Sequence, residues 1–309
     1  MRRTSSAAAA LLLATCGVVA CSKSDGNTGV KSKPPQPAQE KPVTIPRESP
    51  AVKATDGEGF VVSKPTGSFA DGEAAYRARK YADATAIFES YTERRPANAW
   101  GHYMLGLSAW KNGDLSKSEQ AFEKALGIDP RHVKSLVNLS RVFIDQKRHD
   151  EAVDRLMRAS EIEPESPEVF RLLGRTYHVQ RMTDDAVAAY RRAIELDEFD
   201  AWSMNNLGLL LLETKRADEA LPLLAAAVKL RKDVPEFHNN LGMALEHTGR
   251  YRAAASAYGD ALTADAGYEK AKQNLARVER VESGPDEPFP VDRAAQDAAA
   301  DTTVAEVIK

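Results

Sequence analysis

Asn138, Asn206 and Asn240 stand at whole multiples of 34 residues from one another. A carboxamide carries donor and acceptor together, so a column of them can hold a carbonyl and an N–H of an extended peptide whatever its side chains. Arg171 and Arg175 are four apart. On a helix they share a face, and with Asn206 they can bind a carboxylate through charge-assisted hydrogen bonds. Groups for bond-making chemistry are missing. The chain has no glycine-rich phosphate loop, Gly-x-Ser-x-Gly, His-Glu-x-x-His or paired-cysteine metal site. His102 and His238 share one place in the 34-residue period, but several helices separate them. No catalytic residue, metal or cofactor is expected, and the chain reads as a binder, not an enzyme.

The period extends well beyond the asparagines. Stepping back by 34 from Gly242 meets Gly208, Gly174, Ser140, Gly106 and Gly72. Twelve residues after each of these come Ala84, Ser118, Ala152, Ala186, Ala220 and Ala254, followed four later by Phe88, Phe122, Leu156, Tyr190, Leu224 and Tyr258. A fixed period of this length marks repeated units, each one supersecondary element that buries its apolar face against its neighbours. The spacing predicts two antiparallel helices per unit. Glycine in the first and alanine in the second let the backbones approach, and the larger residue fills the space beside them. Pro96, Pro130 and Pro164 close the first three units; Glu198, Lys232 and Ala266 stand in that place in the others. Pro222, about a turn into a predicted second helix, is expected to cause a local irregularity.

At these residues the chain resembles the tetratricopeptide repeat family. The resemblance implies an all-α fold, a right-handed α-solenoid of six helix pairs plus a C-terminal capping helix. The expected units are 65–98, 99–132, 133–166, 167–200, 201–234 and 235–268, with the cap over 269–281 and a disordered tail, holding at most a short helix, over 282–309. In related repeats the ligand groove is lined by fixed first-helix positions. Here these include Trp100, Tyr103, Trp110, Asn138, Arg141, Arg171, Arg175, Asn206 and Asn240, the candidate peptide-binding residues, along with Lys134, Trp202, Asn205 and Asn239. Asparagine at the sixth position is similar to the ladder of peptide-binding superhelices in the family, interrupted here by Met104 and Leu172; the alternative is that these amides only solvate the groove. Arg171 and Arg175 partly resemble the carboxylate clamp of chaperone-binding repeats, with arginine for lysine, no asparagine at the ninth position and Glu236 where the clamp has a base; solvated charge is the alternative, and the favoured one. Trp100 and Trp202 are groove anchors or inter-unit packing, the latter favoured for Trp202.

The N-terminus carries Arg2 and Arg3, then the apolar run from Ala7 to Ala20, too short to span a bilayer and expected to be an export signal over 1–20. Its end, Val18-Val19-Ala20-Cys21, resembles the bacterial lipobox, which implies cleavage before Cys21 and lipidation there; Cys16, after Thr15, is the second candidate. Once the leader is removed Cys21 is the last cysteine, so no internal disulfide can form, and acylation accounts for the thiol. Ser22 follows, where an aspartate would resemble an inner-membrane retention signal, so the expected location is the periplasmic face of the outer membrane. The proline-rich stretch to residue 64 cannot bury enough surface to fold and is expected to be a tether spanning on the order of 35 Å. The net charge of −3 falls to −5 when Arg2 and Arg3 leave with the signal. Nucleic acid is therefore not an expected partner.

Six repeats behind a lipid anchor resemble the pilotin lipoproteins of type IV pili, which implies an assembly factor for a secretin. The alternative resemblance is to repeat lipoproteins that act as adaptors for peptidoglycan hydrolases. Either implies a protein or extended peptide as partner and the membrane through Cys21, with no small-molecule substrate.

Overall fold

The computed structural model describes residues 67–281 and 289–300. The expected signal, Cys21, the tether, Pro65 and segments 282–288 and 301–309 lie outside the described residues. Within them the chain forms six helix pairs: α1 (Phe69–Arg77) with α2 (Tyr81–Arg94), α3 (Ala99–Lys111) with α4 (Leu115–Ile128), α5 (Val133–Asp145) with α6 (His149–Ile162), α7 (Pro167–Val179) with α8 (Thr183–Leu196), α9 (Ala201–Glu213) with α10 (Ala217–Leu230), and α11 (Pro235–His247) with α12 (Tyr251–Ala264). Two single helices follow, α13 (Glu269–Val278) and α14 (Val291–Ala300). No strand is present among the described residues. Each helix packs on the next in sequence through α13, the pattern of an α-solenoid. First helices also touch the first helix of the following unit, as in α9 with α11 and α11 with α13, which makes them the inner wall of the stack.

The small-to-large pairing inside each unit is steric. A Cβ placed on Gly106 would lie 2.7 Å from Cδ1 of Phe122, and one on Gly174 would lie 2.6 Å from Cδ1 of Tyr190. Phe88, Phe122, Leu156, Tyr190, Leu224 and Tyr258 are all buried against these positions. The turn inside each pair repeats too. Its middle residue is left-handed in every unit: Arg79, Gly113, Lys147, Arg181, Lys215 and Gly249, each 34 residues after the last. Asp150, Asp184 and Asp218 fall in the first turns of α6, α8 and α10, where their charge meets the helix dipole favourably.

Second helices are all 14 residues long, whether or not a proline follows. At three of the six ends an aspartate closes the helix: Asp129, Asp197 and Asp265 accept from the backbone N–H two residues on, at 3.0, 3.0 and 2.8 Å. At Asp197 and Asp265 the local turn stands where the unit lacks a closing proline, whereas at Asp129 it accompanies Pro130. The irregularity expected at Pro222 is absent, since α10 runs unbroken through it. Pro222 removes one hydrogen bond, to the carbonyl of Asp218, and Asp218 is exposed so water can serve that carbonyl.

The tail holds the short helix that the expectation allowed for. Residues 291–300 form α14, which packs against α10 with Ala295 buried and Phe289, Val291 and Ala294 partly buried. Its pattern follows none of the repeat positions, so the period held no sign of where it would dock.

Candidate functional site

The inner wall divides into three parts. At the N-terminal end, Trp100 and Tyr103 lie one helical turn apart on α3 with ring centroids at 4.9 Å. His132 meets both, at 5.5 and 5.2 Å, and the Lys134 ammonium sits 5.3 Å from the Trp100 ring. Tyr103 is buried, whereas Trp100 keeps part of its surface open. Trp110 donates its indole N–H to Oδ2 of Asp145 at 2.7 Å, joining α3 to α5. This end presents aromatic faces rimmed by lysine, a surface for apolar or aromatic side chains.

In the middle, the charged candidates are tied to the protein itself. Asn138 is buried and donates to the carbonyl of Lys134 at 2.8 Å, while its oxygen accepts from Arg141 at 3.1 Å. Arg141 pairs in turn with Glu168 across the unit boundary. Arg171 donates to Oδ2 of Asp200 at 2.7 Å, and Asp200 is the N-cap of α9, holding the Ser203 N–H and hydroxyl. The two arginines do not act as a pair: Arg171 neutralises a buried cap, and Arg175 is exposed beside the Tyr190 hydroxyl. Burial pushes the Tyr190 phenol well above its ordinary range, so it remains a neutral donor and acceptor; Arg175 and a hydrogen bond with Asn206 oppose that rise.

The C-terminal part is an amide ladder. Asn240 donates to Asn205 at 2.9 Å and Asn274 donates to Asn239 at 2.9 Å, each across a unit boundary. Longer contacts of 3.4 Å join the neighbours Asn205 to Asn206 and Asn239 to Asn240. Arg277 closes the series on the oxygen of Asn274 at 2.9 Å and forms a two-point pair with Glu246 at 2.9 and 2.7 Å. The Tyr258 hydroxyl donates to the same carboxylate at 2.8 Å. Arg277, before any other neighbour, holds the Glu246 carboxyl below the usual carboxylate range. Asn206, Asn240 and Asn274 are half-buried, and each carboxamide still has a second N–H and a second lone pair for a ligand.

The sequence pattern named Asn205, Asn206, Asn239 and Asn240 as groove positions but not Asn274 and Arg277, which extend the series. Asn274 and Arg277 stand on the capping helix, and the available signal was the step of 34 from Asn240 to Asn274. Trp202 packs edge-on against Phe237 at 4.9 Å while remaining 43% exposed, so it serves inter-unit packing with one face open. His102 and His238 play the same structural part in their units. Their Nε2 atoms lie 3.0 Å from the carbonyls of Pro96 and Lys232, pinning the loops between units. No group of three potential metal ligands occurs among the described residues, and none of their helices is long and apolar enough to cross a membrane.

Family models described as tetratricopeptide repeat match residues 69–133, 109–176, 168–200 and 205–270. The chain belongs to the tetratricopeptide repeat family. Among solved structures, pilF of Pseudomonas aeruginosa is 18% identical, with 67% of this chain and 95% of that chain covered and a TM-score of 0.59. The Cut9-Hcn1 hetero-tetramer of the APC/C aligns at 16% identity over 76% of this chain and 45% of that one, with a TM-score of 0.57. YrrB, described as a tetratricopeptide repeat protein with an unusual peptide-binding site, is 20% identical over 61% and 97%, with a TM-score of 0.50. At these identities the likeness is one of fold. No curated protein sequence matches the chain significantly. As a tetratricopeptide repeat protein it is a scaffold for protein interaction, and its inner wall is where the repeat geometry concentrates unsatisfied amide valences.

Proposed function

We propose that the inner wall binds an extended segment of a protein partner, with the amide ladder taking its backbone and the Trp100–Tyr103 cluster an apolar side chain. The carrying observation is the pair of inter-unit bonds, Asn240 to Asn205 and Asn274 to Asn239, which hold successive carboxamides along one line. A ligand backbone meets amides already fixed in place, so little side-chain entropy is lost on binding. In the finer reading, the protein is lipidated at Cys21, faces the periplasm from the outer membrane, and assembles a secretin as pilotin lipoproteins do. The lipobox-like Val18–Cys21 and the six repeats support it.

The test is in-cell crosslinking of the intact protein beside an Asn206→Ala/Asn240→Ala variant, with partners identified by mass spectrometry. Recovery of a secretin that disappears in the variant is the expected result. Recovery of peptidoglycan hydrolases instead would move the assignment to a cell-wall adaptor, and equal recovery from both proteins would remove the ladder from binding. Labelled palmitate is expected to enter the wild type and Cys16→Ala but not Cys21→Ala; label retained by Cys21→Ala would sink the anchor assignment.

A further inference from the structure

The steps of the amide ladder are equal. Asn206 and Asn240 are joined through Asn205 by contacts of 3.4 and 2.9 Å, and Asn240 and Asn274 are joined through Asn239 by contacts of 3.4 and 2.9 Å. The helices that carry them set the size of the step. First helices touch their successors here, α9 with α11 and α11 with α13. Helices in direct contact lie about 8–10 Å apart, so three carboxamides stand in line at about that interval.

A ligand backbone must meet that interval with the same face each time. In a β-strand two residues advance about 6.6 Å, which falls short, and three advance about 10 Å but turn the third residue to the opposite face. A polyproline II helix advances about 9.3 Å in three residues and returns to the same face, because three residues complete one turn. Its carbonyls are all available, since the conformation has no internal hydrogen bonds. The carboxamides are set to take them. The oxygens of Asn206, Asn240 and Asn274 already accept from Asn205, Asn239 and Arg277, and one N–H of each is engaged with Tyr190, Asn205 or Asn239. The second N–H of each is left for a ligand carbonyl.

Trp202 supplies a surface of the matching kind. It lies one turn before Asn206 on α9, hence on the same face, and its edge-on contact with Phe237 leaves it 43% exposed. Trp100 holds the same place three whole units earlier and is also partly open. Aromatic faces are the surfaces on which proline-rich helices of this kind dock.

We propose that the ligand of the inner wall is a proline-rich segment of a partner protein, bound as a polyproline II helix with one turn per repeat. Every third carbonyl meets a carboxamide, and prolyl rings pack on Trp202 and Trp100. The assignment rests on the extended-segment site proposed above and specifies the conformation of its occupant. A preformed helix meeting a fixed row of donors leaves little freedom to be lost by either side. The chain's own Pro42, Pro46 and Pro50 fall four apart, out of step with a three-residue turn, which places the source in a partner.

The test titrates the full chain by fluorescence anisotropy with two labelled twelve-residue peptides, each flanked by lysines for solubility. One is proline throughout; the other alternates threonine and valine, which favours a strand. The expected result is oligoproline binding about tenfold tighter than threonine-valine binding. Loss of two hydrogen bonds in Asn206→Ala/Asn240→Ala should weaken it about tenfold, and loss of one rung in Asn274→Ala about fivefold. Circular dichroism melting of both variants checks that the stack stays folded. Threonine-valine binding that is equal or tighter, and weakened in the variants, overturns the polyproline assignment and leaves the extended-segment site standing. Oligoproline binding that both variants leave unchanged, or binding of neither peptide, overturns both. Tighter oligoproline binding to a Pro34→Ala/Pro35→Ala/Pro37→Ala chain than to the intact one would give the wall to the chain's own prolines and overturn the assignment to a partner.

Discussion

His132 caps α5 with an imidazole: Nδ1 accepts the Ser135 N–H at 3.2 Å and lies 2.8 Å from the Ser135 hydroxyl. Accepting requires the neutral ring. Burial, chiefly, lowers the basicity of His132 below its ordinary 6.5, Lys134 adds to the effect and Asp129 opposes it. Because the folded-state pKa lies below the unfolded one, the unfolded chain takes up the proton first as pH falls. The stability contributed by the cap is therefore present above about pH 6.5 and is lost as pH drops through the lower folded value. A cap of this kind contributes about 1 kcal/mol. His132→Asn keeps an acceptor that does not titrate, so its melting temperature is expected to fall less than that of the wild type between pH 7.5 and 5.5. Parallel profiles for the two proteins would mean that the imidazole does not act as the cap.

At the level of the helix pair, two substitutions at neighbouring elements of the fourth unit should act in opposite directions. Gly174→Ala drives a methyl to within 2.6 Å of a buried Tyr190 ring, and such overpacking typically costs about 1–3 kcal/mol. Arg181→Gly relieves a left-handed residue, φ 64°, which costs a side-chain-bearing residue about 1–2 kcal/mol, part of it returned as the greater freedom of glycine in the unfolded chain. A net gain of about 0.5–1 kcal/mol is expected from urea titration, and a loss would mean that the Arg181 side chain does more than occupy the turn. The contrast also shows what a sequence can disclose. Gly174 and Tyr190 were legible because sterics force the same small and large residues into every unit. The left-handed turn was legible only where glycine marks it, at Gly113 and Gly249; Arg79, Lys147, Arg181 and Lys215 occupy it in the other units, and only the backbone reveals them as equivalent. In the site, residue types at first-helix positions were legible, but bonding partners depend on side-chain direction across a unit boundary. Hence Arg171 read as a free cation although it serves Asp200.

Across the whole array there is no single core, and the buried side chains fall into three clusters. One runs from Phe69 to Ala152, a second from Leu136 to Ala189, and the largest from Ala186 to Ala295. The middle cluster is the smallest, so units three and four form the thinnest joint between two better-packed halves. In an array stabilised by nearest-neighbour contacts, a thin joint lets the halves unfold separately. The N-terminal half should go first, since α1 has only nine residues and buries two, whereas the C-terminal half is closed by α13 and covered by α14. The tryptophans allow a direct test, with Trp100 and Trp110 in the second unit and Trp202 in the fifth. A Trp202→Phe chain reports the N-terminal half by fluorescence, and a Trp100→Phe/Trp110→Phe chain reports the C-terminal half. With urea slopes of about 1–3 kcal/mol per molar, a difference of one or two kcal/mol between halves separates the midpoints by roughly 1 M. Coincident midpoints would mean that the joint transmits unfolding as well as the rest of the stack. A wider separation on adding Gly174→Ala, which lies at the joint, would mean that the seam controls how far one half feels the other, and so whether a ligand on the amide ladder can stiffen the aromatic end.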